Sequence, residues 1–354
     1  MSIRPVGGPT CLKLLDLRFK LRSTLSRGKV LLHARNLSLS LIENGSSIRI
    51  VDGVELKIHE GETVGLIGPT GTGKTVTARA IMRVLQPILF EKPVWEVEGE
   101  VLYRGRDLMK LSEDELNELR GSEMSMIYQN PAGALNPMLV IGHQTGEPVE
   151  AHEDIEAQRL KEVVIDYLGK VELPEARRRF NFFKHQFSSG ESQRIMIAMA
   201  LICWPSLLIA DEPTSELDVT VQRQVLELLK RMKEEFGLST LLITHDLGVI
   251  AEMSDYVYVM YAGRIVEHGG VYKIFGEPGH PYTRGLLRSV PRIDENHFEL
   301  EGIPGEPPQP PYDITGCVFH PRCNHVEDQC REEGPALEEV EPGHYVACLR
   351  SDEI

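Results

Sequence analysis

Gly68 to Thr75 reads GPTGTGKT and fits the pattern G-x-x-x-x-G-K-[ST]. Its glycines let backbone N–H groups curl around phosphate oxygens, and the dipole of a following helix favours the anion. Lys74 can reach the β- and γ-phosphates and the Thr75 hydroxyl can bind Mg²⁺. The run TVGLI before the loop reads as a strand and TVTARAIMRVL after it as a helix, the context that separates this loop from an ordinary surface turn. The ATP-binding set is Gly68, Pro69, Thr70, Gly71, Thr72, Gly73, Lys74 and Thr75, extended one position to Val76. Further on, LLIADE places Asp211 and Glu212 at the C-terminal end of a buried strand, where ligands of open α/β sheets sit. Asp211 would hold the Mg²⁺ shell and Glu212 would polarise an attacking water. Strand ends often carry acids that are merely solvated, so the pair gains its weight from the phosphate loop.

Two other stretches draw attention. FSSGESQR, Phe187 to Arg194, precedes the apolar run MIAMALICW and reads as a helix N-terminus with Ser188 or Ser189 as N-cap, yet it is more acidic than an anion-binding turn favours. Cys317, Cys323, Cys330 and Cys348 are spaced C-x5-C-x6-C-x17-C. Structural zinc sites prefer C-x2–4-C pairs and the spacing matches no ferredoxin run, so a cluster, zinc and free thiols all stay open on spacing alone. Cys11 and Cys203 lie outside this pattern, and Cys203 reads as a core residue of an apolar helix.

The elements that must position these residues are strands and helices in alternation. Val30–Ile42 and IRIVDGVELKI alternate loosely about the turn ENGSS, which predicts a small antiparallel sheet. Four short apolar runs follow, at residues 63–68, 124–129, 207–211 and 240–245, and unbroken runs of this kind predict buried parallel strands in an α/β core. A mostly helical stretch fills residues 150–204, and Pro and Gly crowd the chain from about Val290 (IPGEPPQPPYDITG).

The 354 residues suffice for two domains. A net charge of −15 argues against nucleic acid as partner, since phosphate contacts need a basic face. Residues 1–35 nonetheless carry eight Lys/Arg against Asp16 alone, a solvated extension or a contact for an acidic partner or anionic lipid. Residues 1–30 lack the apolar h-region of a secretory signal, and no run approaches the ~20 apolar residues of a membrane span. The expectation is a cytoplasmic protein whose six cysteines are thiols or metal ligands.

GPTGTGKT, the glutamine of MIYQNP (Gln129), FSSGESQR, LLIADEPTSELD and the histidine of LLITHD (His245) stand in the order and rough spacing of the ATPase subunit of ABC transporters, which this chain resembles. The 143 positions from Gly68 to Asp211 leave no room for the coiled-coil insert of chromosome-maintenance relatives, and one phosphate loop excludes two-cassette translation factors. QNPAGALNP, QRIMIAMAL, HPYTRGLLRSVP and GCVFHPRC look like the oligopeptide/dipeptide importer class, a resemblance covering about residues 31–348. It implies an α/β fold: an ABC-type P-loop nucleotide-binding domain with RecA-like core, antiparallel β subdomain and helical subdomain, plus a small loop-rich cysteine-containing C-terminal domain. The implied division is a basic extension at 1–30, the cassette at 31–285 with its helical subdomain at about 130–204, and the C-terminal domain at 286–354.

By the same resemblance the chain hydrolyses ATP with Mg²⁺ to power solute import, most simply of peptides. Its partners would be two transmembrane permease subunits, a paralogous ATPase subunit and, indirectly, an extracytoplasmic solute-binding protein, with the chain peripheral on the cytoplasmic face of the membrane. Lys74, Glu212, His245 and Gln129 would be catalytic. His245 would bond the γ-phosphate, and Gln129 would contact Mg²⁺ or water and face the membrane subunit. Ser188 and the backbone near Gly190 would close on ATP held by the partner cassette, and the four cysteines can hold a [4Fe–4S] cluster in this class. The sequence departs from the LSGGQ pattern at Phe187, Ser189 and Glu191, and at Glu216 in SELD where alanine is usual. These changes should weaken the site this signature completes, so a heterodimer of unequal sites is expected. No Tyr, Phe or Trp lies in SLIENGSSIRIV to stack adenine, leaving Ile42 or Ile48 for that role. The rival readings are the ATPase of a soluble non-transport complex, such as a phosphonate-metabolism assembly, and an iron–sulfur redox enzyme that works without ATP.

Overall fold

The computed structural model of the chain describes residues 28–43, 45–85, 94–215, 217–289, 302–351 and 353. The basic extension and Cys11 lie outside them, as does Glu216. Two sheets organise the described residues. The first is antiparallel, in the order β2 (Ser46–His59), β1 (Val30–Glu43), β4 (Val94–Tyr103), β5 (Arg106–Asp107). The second has eight strands in the order β11 (Glu338–Glu341), β12 (His344–Val346), β10 (Arg264–Gly270), β9 (Tyr256–Tyr261), β3 (Thr63–Ile67), β8 (Ser239–Ile243), β7 (Leu207–Asp211), β6 (Met124–Ile127). The stretch from β9 to β6 is parallel, whereas β10, β12 and β11 add antiparallel.

Every residue of β3, β7 and β8 is buried, as a parallel sheet covered on both faces requires. Alternate side chains feed two cores. Leu207, Ile209, Leu241 and Ile243 pack with the first sheet and with Ala78 and Ile81 of the helix Lys74–Ile81. Leu208, Ala210 and Leu242 pack with the helices Ile141–His152, Ala157–Lys170 and Ser189–Leu201, which lie between β6 and β7. The helix Val219–Phe236 links β7 to β8. Asp218 caps its first turn through Thr220 and Val221, and Gly237, at φ 61°, ends it. The helix Leu247–Met253 links β8 to β9 under an equivalent cap, Asp246.

Three features differ from the sequence expectation. The strand β4 and the β9–β10 hairpin were not anticipated, and the C-terminal stretch is less separate than a loop-rich appendage. Its β11–β12 hairpin extends the main sheet, and Val318 and Phe319 enter the core shared with the helices. A buried hydrogen bond pins it there: His344 Nε2 lies 2.7 Å from Glu267 of β10, which is 0% exposed and also accepts from the N–H groups of Gly279 and His280. Among the described residues no helix is long and apolar enough to cross a membrane.

Candidate nucleotide-binding site

Strand register brings the motif residues to one edge. Leu66 pairs with Ile243, Ile243 with Asp211, and Ala210 with Ile127. The residues just past those strands, Gly68, His245, Glu212 and Gln129, therefore leave the sheet together at its C-terminal edge. The phosphate loop needs its glycines here. A Cβ on Gly68 would lie 2.2 Å from the Met260 carbonyl oxygen, and Gly73 opens the helix Lys74–Ile81 at φ 97°, in the left-handed region. The Lys74 ammonium is buried, 7% exposed, and donates to the Gly68 and Pro69 carbonyls at 2.8 and 2.9 Å. Val76 turns its side chain toward the core and offers the site only backbone.

The acids sit where the sequence reading places them. Thr75 Oγ1 donates to Asp211 Oδ1 at 3.0 Å, while Asp211 Oδ2 is buried without a hydrogen-bond partner among the described residues. Burial pushes the Asp211 carboxyl above its ordinary range and pulls the Lys74 ammonium below its own. A hydroxyl beside a buried carboxylate with one free oxygen is a donor set that fits Mg²⁺, which takes one or two protein oxygens and completes its shell with substrate phosphates and water. No three His, Cys, Asp or Glu side chains among the described residues gather to hold a metal ion unaided. His245 Nδ1 is 2.9 Å from the Glu212 carboxylate, and Glu212 is held at φ 50°, a strained conformation of the kind found at functional sites. Gln129 is exposed.

The signature turn forms part of its own chain's architecture. Ser188 caps the helix Ser189–Leu201 in a reciprocal box: its Oγ accepts from the Glu191 N–H at 3.3 Å, and the Glu191 carboxylate accepts from the Ser188 N–H at 2.9 Å and hydroxyl at 3.2 Å. Arg179 Nη1 lies 2.5 Å from the same carboxylate and, above all other contacts, holds its pKa down to about 2. Gly190 lets Val221 approach, since a Cβ there would meet Val221 Cγ1 at 2.8 Å.

Cys317, Cys323, Cys330 and Cys348 line one pocket, together with His280, Phe319 and Arg350. Burial pushes the Cys317 thiol up to about 11 and raises Cys323 and Cys348 as well. Cys203 is buried in the core, as expected.

Residues 51–215 match the ABC transporter family, and residues 266–330 match the C-terminal region of oligopeptide/dipeptide transporters. A probable peptide ABC transporter ATP-binding protein of Sinorhizobium fredii is 42% identical over 93% of this chain and 97% of its own length. This chain belongs to the oligopeptide/dipeptide ABC transporter family. An oligopeptide transport ATP-binding protein of Salmonella typhimurium (41% identity, covering 91% of this chain and 94% of that one) and a dipeptide transport ATP-binding protein of Bacillus subtilis (42%, covering 91% and 95%) are similar to it. A dimeric ATP-binding cassette solved in a post-hydrolysis state with ADP and Pi superposes with a TM-score of 0.60 at 26% identity, covering 68% of this chain and 98% of that one.

As an ABC transporter ATPase the chain has the expected fold, with α/β core, antiparallel sheet and helical part all present. Ile42 and Ile48 are half-buried in the β1–β2 hairpin, where the sequence offered no aromatic platform. Sequence reasoning missed one contact to the phosphate loop. Tyr312, from the proline-rich stretch, donates its hydroxyl to the Gly71 carbonyl at 2.6 Å. The two residues stand 241 positions apart, and no local pattern joins them.

Proposed function

We propose that this chain is the ATPase subunit of an importer of short peptides, peripheral on the cytoplasmic face of the membrane beneath two permease subunits. The observation that carries this reading is 41–42% identity, across nine-tenths of the chain, to ATP-binding proteins named for peptide, oligopeptide and dipeptide transport. In it, the loop Gly68–Thr75 and Lys74 would hold the ATP phosphates, Thr75 and Asp211 would hold Mg²⁺, which would supply positive charge against the phosphates, Glu212 would orient and deprotonate water, and His245, held by Glu212, would bond the γ-phosphate. Gln129 is exposed and would face a permease loop. Tyr128, Met138, Leu139 and Phe183 are exposed apolar side chains, and a bridge between Val140 and Phe183 draws the last two together.

The division into a cassette at 31–285 and a C-terminal unit at 286–354 belongs to the same proposal, as does dimerisation with a paralogue. The Glu191 carboxylate engages both donors of Ser188, the group that would otherwise meet the partner's ATP, which supports unequal sites. The cysteine pocket is proposed to take a [4Fe–4S] cluster on Cys317, Cys323, Cys330 and Cys348. Four cysteines around one pocket match the number of thiolate ligands such a cluster takes, and the cluster would serve as a structural staple for a loop-rich segment. Anaerobically purified protein should show iron, sulfide and charge-transfer absorption, all lost in Cys323→Ser.

Purification of the tagged chain from detergent-solubilised membranes tests the main reading. Stoichiometric recovery of two integral membrane proteins supports it; a soluble complex without them refutes it in favour of a non-transport ATPase.

A further inference from the structure

The stretch Ile303–Asp313 is irregular in backbone yet stiff, since Pro304, Pro307, Pro308, Pro310 and Pro311 fix much of it before any contact forms. It is held at both ends. At the near end Arg322 donates to the carbonyls of Pro304 (2.7 Å), Ile303 (3.1 Å) and Gly305 (2.8 Å), and to the hydroxyl of Tyr261 in β9 (3.2 Å). At the far end lies the phosphate loop. Tyr312 donates to the Gly71 carbonyl at 2.6 Å, and its ring rests against Gly263, where a Cβ would come within 3.1 Å of Cε2. The Gln309 amide covers the other side of Gly71, its Oε1 2.6 Å from where a Cβ would stand.

The consequence follows from peptide geometry. A trans peptide is planar, so the carbonyl of Gly71 and the N–H of Thr72 point in opposite directions. Anchoring the carbonyl outward on Tyr312 aims the Thr72 N–H inward, toward the space the loop encloses. Gly71, at φ 84°, would otherwise have the greatest freedom to turn that peptide. We propose that the proline-rich strap Ile303–Asp313 is a positioning element of the phosphate loop, with Tyr312 and Gln309 pre-setting the Gly71–Thr72 peptide for a nucleotide phosphate and Arg322 anchoring the strap. The C-terminal region thereby takes part in nucleotide binding. Because Arg322 immediately precedes Cys323, whatever fills or empties the cysteine pocket acts on a residue one position from that anchor.

The test is calorimetric titration of full-length protein with Mg·ADP. Tyr312→Phe keeps the ring and deletes only the donor. It should raise Kd about 5-fold, the scale of one lost hydrogen bond, and leave the nucleotide-free Tm within ~2 °C of the parent. Gln309→Ala should act in the same direction. Arg322→Ala should weaken binding at least as much, and adding Tyr312→Phe to it should cost little more, because both act through one strap. An unchanged Kd in Tyr312→Phe overturns the proposal, as does full multiplication of the two losses in the double variant. Absence of Mg·ADP binding by the parent protein would refute the nucleotide site itself, a separate and distinguishable failure.

Discussion

At Glu191 an acid occupies the N-terminal turn of the helix Ser189–Leu201, and its neighbours are arranged to contain it. Arg179 stacks on the Phe187 ring, 4.4 Å from its centroid, while pairing with the carboxylate. Because the folded pKa of Glu191, about 2, lies below the ordinary 4.5, the pair contributes stability above pH 4.5 and loses it as pH falls toward 2. Arg179→Ala should therefore lower unfolding free energy by about 1 kcal/mol at neutral pH, and the gap to the parent should narrow below pH 4.5, as measured by urea titration at each pH. The motif residues were legible because each sits a fixed few positions from a strand end. The containment of Glu191 was not, since Arg179 belongs to a different helical turn and nothing local marks it as a partner.

At the scale of elements, the glycine of the signature turn serves helix packing as well as any ligand. Gly190→Ala should cost about 1–3 kcal/mol through overpacking against Val221, and the companion Val221→Ala should recover much of it, giving a large coupling term in a double-mutant cycle. The strands β3, β7 and β8 could be read from their sequence because burial on both faces leaves unbroken apolar runs. The strand β4, VWEVEGEVLY, was hidden by the acids on its exposed face, which look like loop composition. The hairpin β9–β10 carries a signal in YVYVMY and in its Ala262–Gly263 turn, both residues at positive φ, but no chemistry-bearing motif falls within its strands.

At the scale of the molecule, the C-terminal region is joined to the rest of the chain by a sheet extension, a strap on the phosphate loop and a buried hydrogen bond. Burial pushes the Glu267 carboxyl up, but its bonds to His344 and to the Gly279 and His280 N–H groups prevail and hold its pKa below the usual carboxylate range. These bonds thus contribute stability at neutral pH that is lost in acid as Glu267 is protonated. His344→Ala takes a hydrogen-bond partner from that buried carboxylate and should destabilise the protein by about 1–3 kcal/mol, with faster amide exchange in β10 and β12 than in β7. A region of low periodicity does not signal these attachments, because each joins residues far apart in the chain. What the whole assembly does rests on the edge formed by Gly68, Asp211, Glu212 and His245, and the most direct measurement is ATP turnover by the assembled complex carrying Glu212→Gln in this chain alone. The account predicts a fall of at least ~100-fold with ATP still bound; near-normal turnover would contradict it and place hydrolysis elsewhere.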